Sequence, residues 1–142
     1  MTEEALDAMG PVDYIVVEWT GQQPNGEAIP HLIDLVDRGI VRILDLAFVT
    51  KGEDGTVAQI ELNELGAEFA IFDGASSNLL DDEDINEAAS AIEPGTSAAI
   101  LVWENLWAAP FASALRKNGG QLVASGRIPV QALLATLEAA EA

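Results

Sequence analysis

The chain has no cysteine, one histidine and only six basic residues among its 142 residues. Without cysteine, disulfides, thiolate metal sites and a nucleophilic thiol are excluded, and one histidine cannot supply a histidine-rich metal cluster. The longest uninterrupted apolar run in the strand regions covers residues 98–103, whereas a membrane-spanning helix needs roughly 20 residues. The sequence therefore predicts no membrane span and leaves little familiar catalytic chemistry.

Acidic residues dominate the charge: 24 Asp and Glu against six Lys and Arg give a formal net charge of −18. Because 49% of the residues are hydrophobic, the chain is predicted to fold around a core, unlike a disordered acidic tail. Its negative field repels nucleic-acid phosphates and anionic head groups, so neither nucleic acid nor a membrane is an expected partner. Residues 1–9 are acidic, unlike a secretory signal, and a cytoplasmic location is expected.

Residues 1–11 form a polar leader that is predicted to be flexible, and residues 12–142 are predicted to form a single α+β domain. Runs of β-forming residues and an Asp54-Gly55 turn signal indicate strands, and apolar residues at i, i+3, i+4 and i+7 indicate helices. The predicted strands cover residues 14–19, 41–50, 57–62, 97–104 and 121–128, and the predicted helices cover residues 29–38, 81–92, 105–118 and 129 onward.

The first six elements follow the order βαββαβ, with an appended αβα segment. This order is typical of a ferredoxin-like sandwich, with both helices on one face of an antiparallel sheet. Side chains along a strand point alternately to the two faces of the sheet, and in residues 14–19 and 97–104 both sets of side chains are mostly apolar. The second face is therefore expected to be covered by residues 63–80, by the αβα segment or by a second copy of the chain.

Three phrases of the sequence resemble a known family: IVRILDLAFVTKGEDGTV at residues 40–57, IEPGTSAAILVWEN at residues 92–105 and GGQLVASGRIP at residues 119–129. They resemble the actinobacterial domain of unknown function 6325, a relative of the wider domain of unknown function 1269 group. The resemblance implies an α+β fold in a cytoplasmic bacterial setting. It implies no activity, so no functional residue is carried over from the family.

Carboxylates inside or at the ends of strands are candidates for a binding site, because acidic residues are depleted in strands. Strict alternation places Asp45 on the same face as Val41 and Ile43, and Arg42 and Arg127 are the cations that could neutralise such carboxylates. If the strand carboxylates lie close together in the fold, they form a polar cleft. If they lie apart, they are solvated strand ends or members of structural ion pairs. The set comprises Glu18, Asp45, Glu61 and Glu104.

Three tryptophans stand out in a chain with 6% aromatic residues: Trp19, Trp103 and Trp107. Tryptophan is common both in cores and as an anchor in interfaces, so both positions remain open at this point. Trp103 and Trp107 flank Glu104, which would place an indole next to a strand carboxylate. All three indoles are therefore ligand or interface candidates.

Two other acidic groupings have simpler explanations than metal binding. His31 lies between Glu27 and Asp34 on a predicted helix, where a surface position is favoured over a metal or proton-relay site. Residues 81–84 are four consecutive carboxylates without the spacing of an EF-hand, and capping of the following helix explains them. No glycine-rich phosphate loop is present. No catalytic residue, metal or cofactor is predicted.

These observations favour a non-enzymatic module that self-associates as a homodimer or higher oligomer, or that binds another protein. Burial of one sheet face between copies would explain the apolar residues on both faces. One alternative is a ligand-binding or enzymatic dimeric ferredoxin-like domain that uses the strand carboxylates. Another is an acidic partner of a basic protein in a stress response, which rests on the net charge of −18.

Overall fold

The computed structural model describes residues 8–20, 26–60 and 80–141. A single 3₁₀ turn, Leu106–Ala108, precedes α3. The elements in chain order are β1 (Val12–Thr20), α1 (Ile29–Asp37), β2 (Val41–Lys51), β3 (Val57–Ile60), α2 (Asp82–Ala89), β4 (Thr96–Asn105), α3 (Ala109–Lys117) and α4 (Val130–Glu141).

Local sequence signals account for the ends of the first two helices. Pro30 lies in the first turn of α1, where its missing N–H costs nothing. Gly39 follows α1 with a φ of +70°, a backbone conformation that glycine adopts without steric penalty. At the start of α2, Asp81 accepts a hydrogen bond from the backbone N–H of Asp84, whose side chain accepts one from the N–H of Asp81. This reciprocal capping box confirms the capping role predicted for the acidic cluster.

The four strands form one antiparallel sheet in the order β1-β4-β2-β3. Since β4 is antiparallel to both β1 and β2, β1 and β2 run parallel with β4 between them. By the same argument β3 and β4 run parallel on either side of β2. The predicted α+β class is therefore confirmed, and this strand order does not confirm the finer ferredoxin-like arrangement.

The two helices that connect the strands pack on opposite faces of the sheet. On one face, here the α1 face, Ile29 of α1 packs against Leu46, Phe48 and Ala99. On the other, the α2 face, Ile85 of α2 packs against a second cluster that comprises Ala47, Val49, Ala98, Ile100 and Ile92. The prediction of both helices on one face was therefore wrong. Both faces of β2 and β4 are apolar, so the pattern of these strands does not assign a helix to either face.

The turn between β2 and β3 follows its sequence signal. Gly55 has a φ of +86°, and its N–H donates to the carbonyl of Gly52. Asp54 accepts a hydrogen bond from the N–H of Thr56 at 2.9 Å. The predicted hairpin is therefore confirmed over its described residues.

The C-terminal part of the chain differs from its prediction. Residues 121–128 were expected to form a fifth strand, but they have no regular secondary structure, and that prediction was wrong. A strand needs a partner strand, and this segment pairs with none of the described strands. The last helix does form as α4, although none of its described residues is buried.

Candidate functional site

Glu104 near the end of β4 is a buried carboxylate with partners on both oxygens. Only 3% of its surface is exposed. One oxygen accepts a hydrogen bond from the backbone N–H of Gly10 at 2.9 Å. The other accepts from Nε and Nη2 of Arg42 at 2.9 and 2.6 Å. The carboxylate thus connects the segment before β1 to β4 and β2. Its pairing with Arg42 is a structural ion pair, one of the two alternatives that the sequence allowed for the strand carboxylates.

Asn105 joins two of the three tryptophans. Its side-chain oxygen accepts hydrogen bonds from the indole N–H groups of Trp103 at 3.0 Å and Trp107 at 3.2 Å. Its amide nitrogen donates to the carbonyl of Pro11 at 3.1 Å and to the carboxylate of Asp13 at 2.8 Å. Asn105 also occupies the N-cap position of the 3₁₀ turn Leu106–Ala108, but its side chain makes no capping hydrogen bond there. No sequence signal identified it as the centre of this network.

The tryptophans occupy three different environments. Trp103 is buried, and the guanidinium of Arg127 lies 5.8 Å from the centroid of its ring, within the range of a cation–π contact. Trp19 is half-buried and packs on the α1 face. Trp107 is 67% exposed, so a core position is excluded for this indole.

Asp45 is buried on the α2 face because of a β-bulge. The bulge lies between Ile43 and Asp45, so that Ile43 pairs with Trp103 and Asp45 pairs with Val102. Strict alternation had placed Asp45 on the face of Ile43, and the extra residue reverses that assignment. The two carboxylate oxygens of Asp45 accept from the backbone N–H groups of Leu46 and Leu80, at 2.9 and 2.8 Å.

The strand carboxylates do not form one polar cleft among the described residues. Glu18 is opposite Ala98 in the register, whereas Glu104 is six residues further along β4, which is about 20 Å at the rise of a strand. Glu18 is exposed and accepts a hydrogen bond from the N–H of Glu93 at 2.8 Å. Glu61, the fourth candidate, lies outside the described residues.

Within residues 8–20, 26–60 and 80–141, no group of three or more acidic or histidine side chains is placed to hold a metal ion. His31 is an exposed residue of α1.

Two concave surfaces flank β1, one on each face of the sheet. The first, the α1 cavity, encloses about 380 Å³ between α1 and the sheet. It is lined mostly by apolar residues, among them Ile15, Trp19, Leu32, Phe48 and Leu101. The second, the α2 groove, encloses about 650 Å³ between β1 and α2. Glu18, Asp45 and Glu104 line neither surface.

Residues 119–141, here called the arm, comprise a segment without helix or strand, followed by α4. Every residue of the arm is exposed. The arm carries seven large aliphatic side chains that are each at least half exposed: Leu122, Val123, Ile128, Val130, Leu133, Leu134 and Leu137. So much exposed apolar surface is typical of an interaction site. This exposure was not predicted, because a fifth strand and a last helix with one apolar face were expected there.

Among the described residues, no helix is long and apolar enough to cross a membrane. Comparison with curated proteins finds no match, and comparison with solved structures finds none either. A family model does match, and it covers residues 8–142. The resemblance noted in the strand and turn phrases of the sequence is thereby confirmed, and the chain belongs to the family of unknown function DUF6325.

Proposed function

We propose that this protein is a self-associating α+β module and that the arm supplies the interface between copies. The observation that carries the proposal is the exposure of the arm: Val123 is 93% exposed, and Leu133 of α4 is 50% exposed. A monomeric protein rarely leaves this many aliphatic side chains in water, because their burial is the main favourable term in association.

The arm offers exposed apolar side chains along its whole length: Leu122 and Val123 lie before α4 and Leu133 and Leu137 lie in it, and all are at least half exposed. Stable protein interfaces bury about 1,200–2,000 Å² in total, so two arms that dock reciprocally would supply part of the area that a homodimer needs.

The polar side chains support a structural role rather than a catalytic one. Glu104 is engaged by Arg42 and Gly10, and Asp45 is engaged by two backbone N–H groups. A general acid or base must reach its substrate, and these two carboxylates are buried at 3% and 2% exposure. We therefore prefer the interaction module to the enzyme that uses strand carboxylates.

Native mass spectrometry of the full chain tests the proposal, because it reports the subunit count and any co-purifying mass together. We expect a homo-oligomer for the unaltered chain and a single chain for Leu133→Asp combined with Leu137→Asp, which places charge in the apolar stripe of α4. The matched control, Gln131→Asp with Thr136→Asp, adds the same charge beside the stripe and should keep the oligomer. A monomeric unaltered chain, or an oligomer that survives the stripe substitutions, would contradict the proposal.

The α1 cavity supports a second candidate, the binding of a small apolar ligand. The cavity has an apolar lining, and its volume of about 380 Å³ falls within the usual range for ligand pockets. Trp19 lines the cavity, so a ligand there should change tryptophan fluorescence. An extra small-molecule mass in the native spectrum, lost in Leu32→Arg, would favour this candidate.

Other expectations from the sequence stay proposals. We expect residues 12–142 to be one domain in the cytoplasm of an actinobacterium, without nucleic acid, membrane or cofactor as a partner. A relation to the domain of unknown function 1269 group and a role as the acidic partner of a basic stress protein belong with them. Co-purification of a basic polypeptide with the protein from its own host would favour the last of these.

A further inference from the structure

We propose that the outer edge of β1 binds an extended segment of a basic protein as an additional strand, in which apolar and basic side chains alternate. The site is separate from the arm, so this inference goes beyond the proposed self-association. It is carried by three observations: the unpaired edge of β1, the two concave surfaces that flank this strand, and the acidic groups that line those surfaces.

β1 is a long strand with an open edge. It lies at the end of the strand order, so it pairs with β4 on one side and with none of the described strands on the other. Every second residue of such a strand directs its backbone N–H and C=O groups away from the sheet. β1 has nine residues and contains no proline or lysine, the residues that commonly protect an edge from pairing, whereas β3 at the opposite edge has only four residues. The open hydrogen-bonding groups of β1 therefore favour another strand as the occupant.

A strand added to β1 would place its side chains in two different surroundings. Neighbouring strands lie about 4.8 Å apart, and successive side chains point to opposite faces. On the α1 face, the added strand would lie beside Ile15, Val17 and Trp19, which line the α1 cavity. On the α2 face, it would lie beside Tyr14 and Val16, which line the α2 groove. Alternate side chains would thus meet the cavity and the groove, and such pockets are what select the sequence of a peptide that binds as a strand.

The charges around β1 favour a basic partner. Among the described residues that line the cavity and the groove there is no lysine or arginine, and there are four carboxylates: Asp13, Glu27, Asp84 and Glu87. Asp84 and Glu87 belong to α2 and lie at the groove, so basic side chains fit the groove and apolar side chains fit the cavity. A second β1 is a poorer occupant, because it brings its own Asp13 and Glu18 to the same edge, and like charges on neighbouring strands destabilise their pairing.

A nine-residue peptide of alternating lysine and valine tests the proposal. We expect it to bind the full chain, and we expect added salt to weaken the binding, since lysines meet carboxylates. Two derivatives carry N-methyl groups, one on every valine and the other on every lysine, which removes backbone N–H donors without a change of charge. Because only alternate N–H groups of a strand point at its neighbour, one derivative should lose roughly tenfold in affinity and the other should keep most of it.

The same three peptides can overturn the proposal. If the unmethylated peptide does not bind, or if both derivatives lose affinity equally, strand addition to β1 is wrong. Equal affinity of all three peptides would show that charge alone attracts them, which also excludes strand addition. If one derivative loses affinity, its identity gives the direction of the added strand relative to β1, because side-chain face and hydrogen-bonding edge are linked in a strand.

Substitutions in the protein locate the bound peptide. Val17→Lys adds a positive charge to β1 beside the α1 cavity and should weaken binding by roughly tenfold. Val36→Lys is the matched control, because Val36 of α1 is 37% exposed against 39% for Val17 and lines neither surface. Glu87→Gln should weaken binding more than Glu83→Gln, since Glu83 lies on the same helix but does not line the groove. Equal effects within each pair would mean that the peptide responds to net charge and not to this site.

Amide hydrogen exchange distinguishes the other occupants of the edge. In the free protein, alternate N–H groups of β1 should exchange rapidly, and the peptide should slow them. Slow exchange without the peptide at every protein concentration would mean that the chain covers its own edge, and slow exchange that appears only at high protein concentration would assign the edge to a second copy. Either result would overturn the proposal. Self-association through the arm is tested separately by Leu133→Asp with Leu137→Asp, so the two proposals fail independently.

Discussion

Asn105 holds together two parts of the chain that are distant in sequence, the N-terminal segment and the end of β4. Its side chain connects the indoles of Trp103 and Trp107 to Asp13, and its backbone N–H donates to the carbonyl of Pro11 at 2.8 Å. Gly10 lies against the same residue: a Cβ at this position would be 2.1 Å from the carbonyl oxygen of Asn105. The close approach of the N-terminal segment therefore requires glycine.

Asn105→Asp should destabilise the protein in a pH-dependent way. The substitution removes the amide N–H donor and places a second carboxylate beside that of Asp13, which now accepts at 2.8 Å. The two carboxylates repel each other in the folded state when both are ionised, so the loss of stability should be largest at neutral pH and smaller in mild acid. Urea unfolding at neutral and mildly acidic pH measures the effect. Asn86→Asp, on the exposed surface of α2, should show little change, and an equal loss at both pH values would contradict the repulsion.

Asp54 in the β2–β3 turn is a second titration test. Hydrogen bonds from the backbone and side chain of Thr56 hold the pKa of Asp54 below its ordinary value of 3.8. The turn therefore gains stability above that value and loses it as the pH falls through the lower pKa of the folded state. In Thr56→Val the backbone N–H remains, so the pKa should rise towards 3.8 without reaching it. Carboxyl chemical shifts followed by NMR give both values, and an unchanged pKa would exclude the hydroxyl as a cause.

At the scale of elements, the capping box of α2 is a local contribution that can be isolated. Asp81→Ala removes the acceptor for the N–H of Asp84 and should lower the free energy of unfolding by about 1 kcal/mol. Asp82→Ala removes an equal charge from the first turn without removing the cap, so its cost should be smaller. Urea denaturation compares the two. Equal losses would mean that charge near the helix dipole, rather than the cap, stabilises α2.

Most elements could be predicted from the sequence because their signals are local. Pro30 and Gly39 define α1, Asp54-Gly55 defines the hairpin turn, and the acidic residues before Ile85 cap α2. Each signal acts over a few residues, so it does not depend on the rest of the fold. This explains why the boundaries of α1 and β2 agree with their predictions within about one or two residues.

The features that could not be predicted depend on contacts between distant elements. The bulge before Asp45 changes the face of every later residue of β2, and no local signal marks it. The face of the sheet that each helix covers is set by chain path, not by the apolar pattern. Residues 121–128 have the composition of a strand, but composition does not supply a partner strand. Glu18 and Glu104 could be identified from the sequence as acidic residues of strands. The distance between them could not be predicted, because it depends on the register in which β1 pairs with β4.

At the scale of the whole molecule, the arm should contribute little to the stability of a single chain. Its described residues are all exposed, and its contact with the sheet includes the cation–π pair of Arg127 and Trp103, worth about 0.5–1 kcal/mol. Removal of residues 121–142 should therefore lower the free energy of unfolding of the monomer by about 1 kcal/mol or less. Urea unfolding at a concentration where both proteins are monomeric tests this. A much larger loss would show that the arm packs against its own chain.

Residues 121–129, which have no regular secondary structure, would also influence what kind of assembly the proposed association produces. If two chains exchange arms, every donor and every acceptor surface is occupied, and growth stops at a two-fold symmetric pair. If geometry prevents the return contact, each bound chain still offers a vacant acceptor surface at one end and an unused arm at the other, and the assembly grows without limit into a filament. The length of this one segment would thus determine whether the protein forms a closed pair or a polymer.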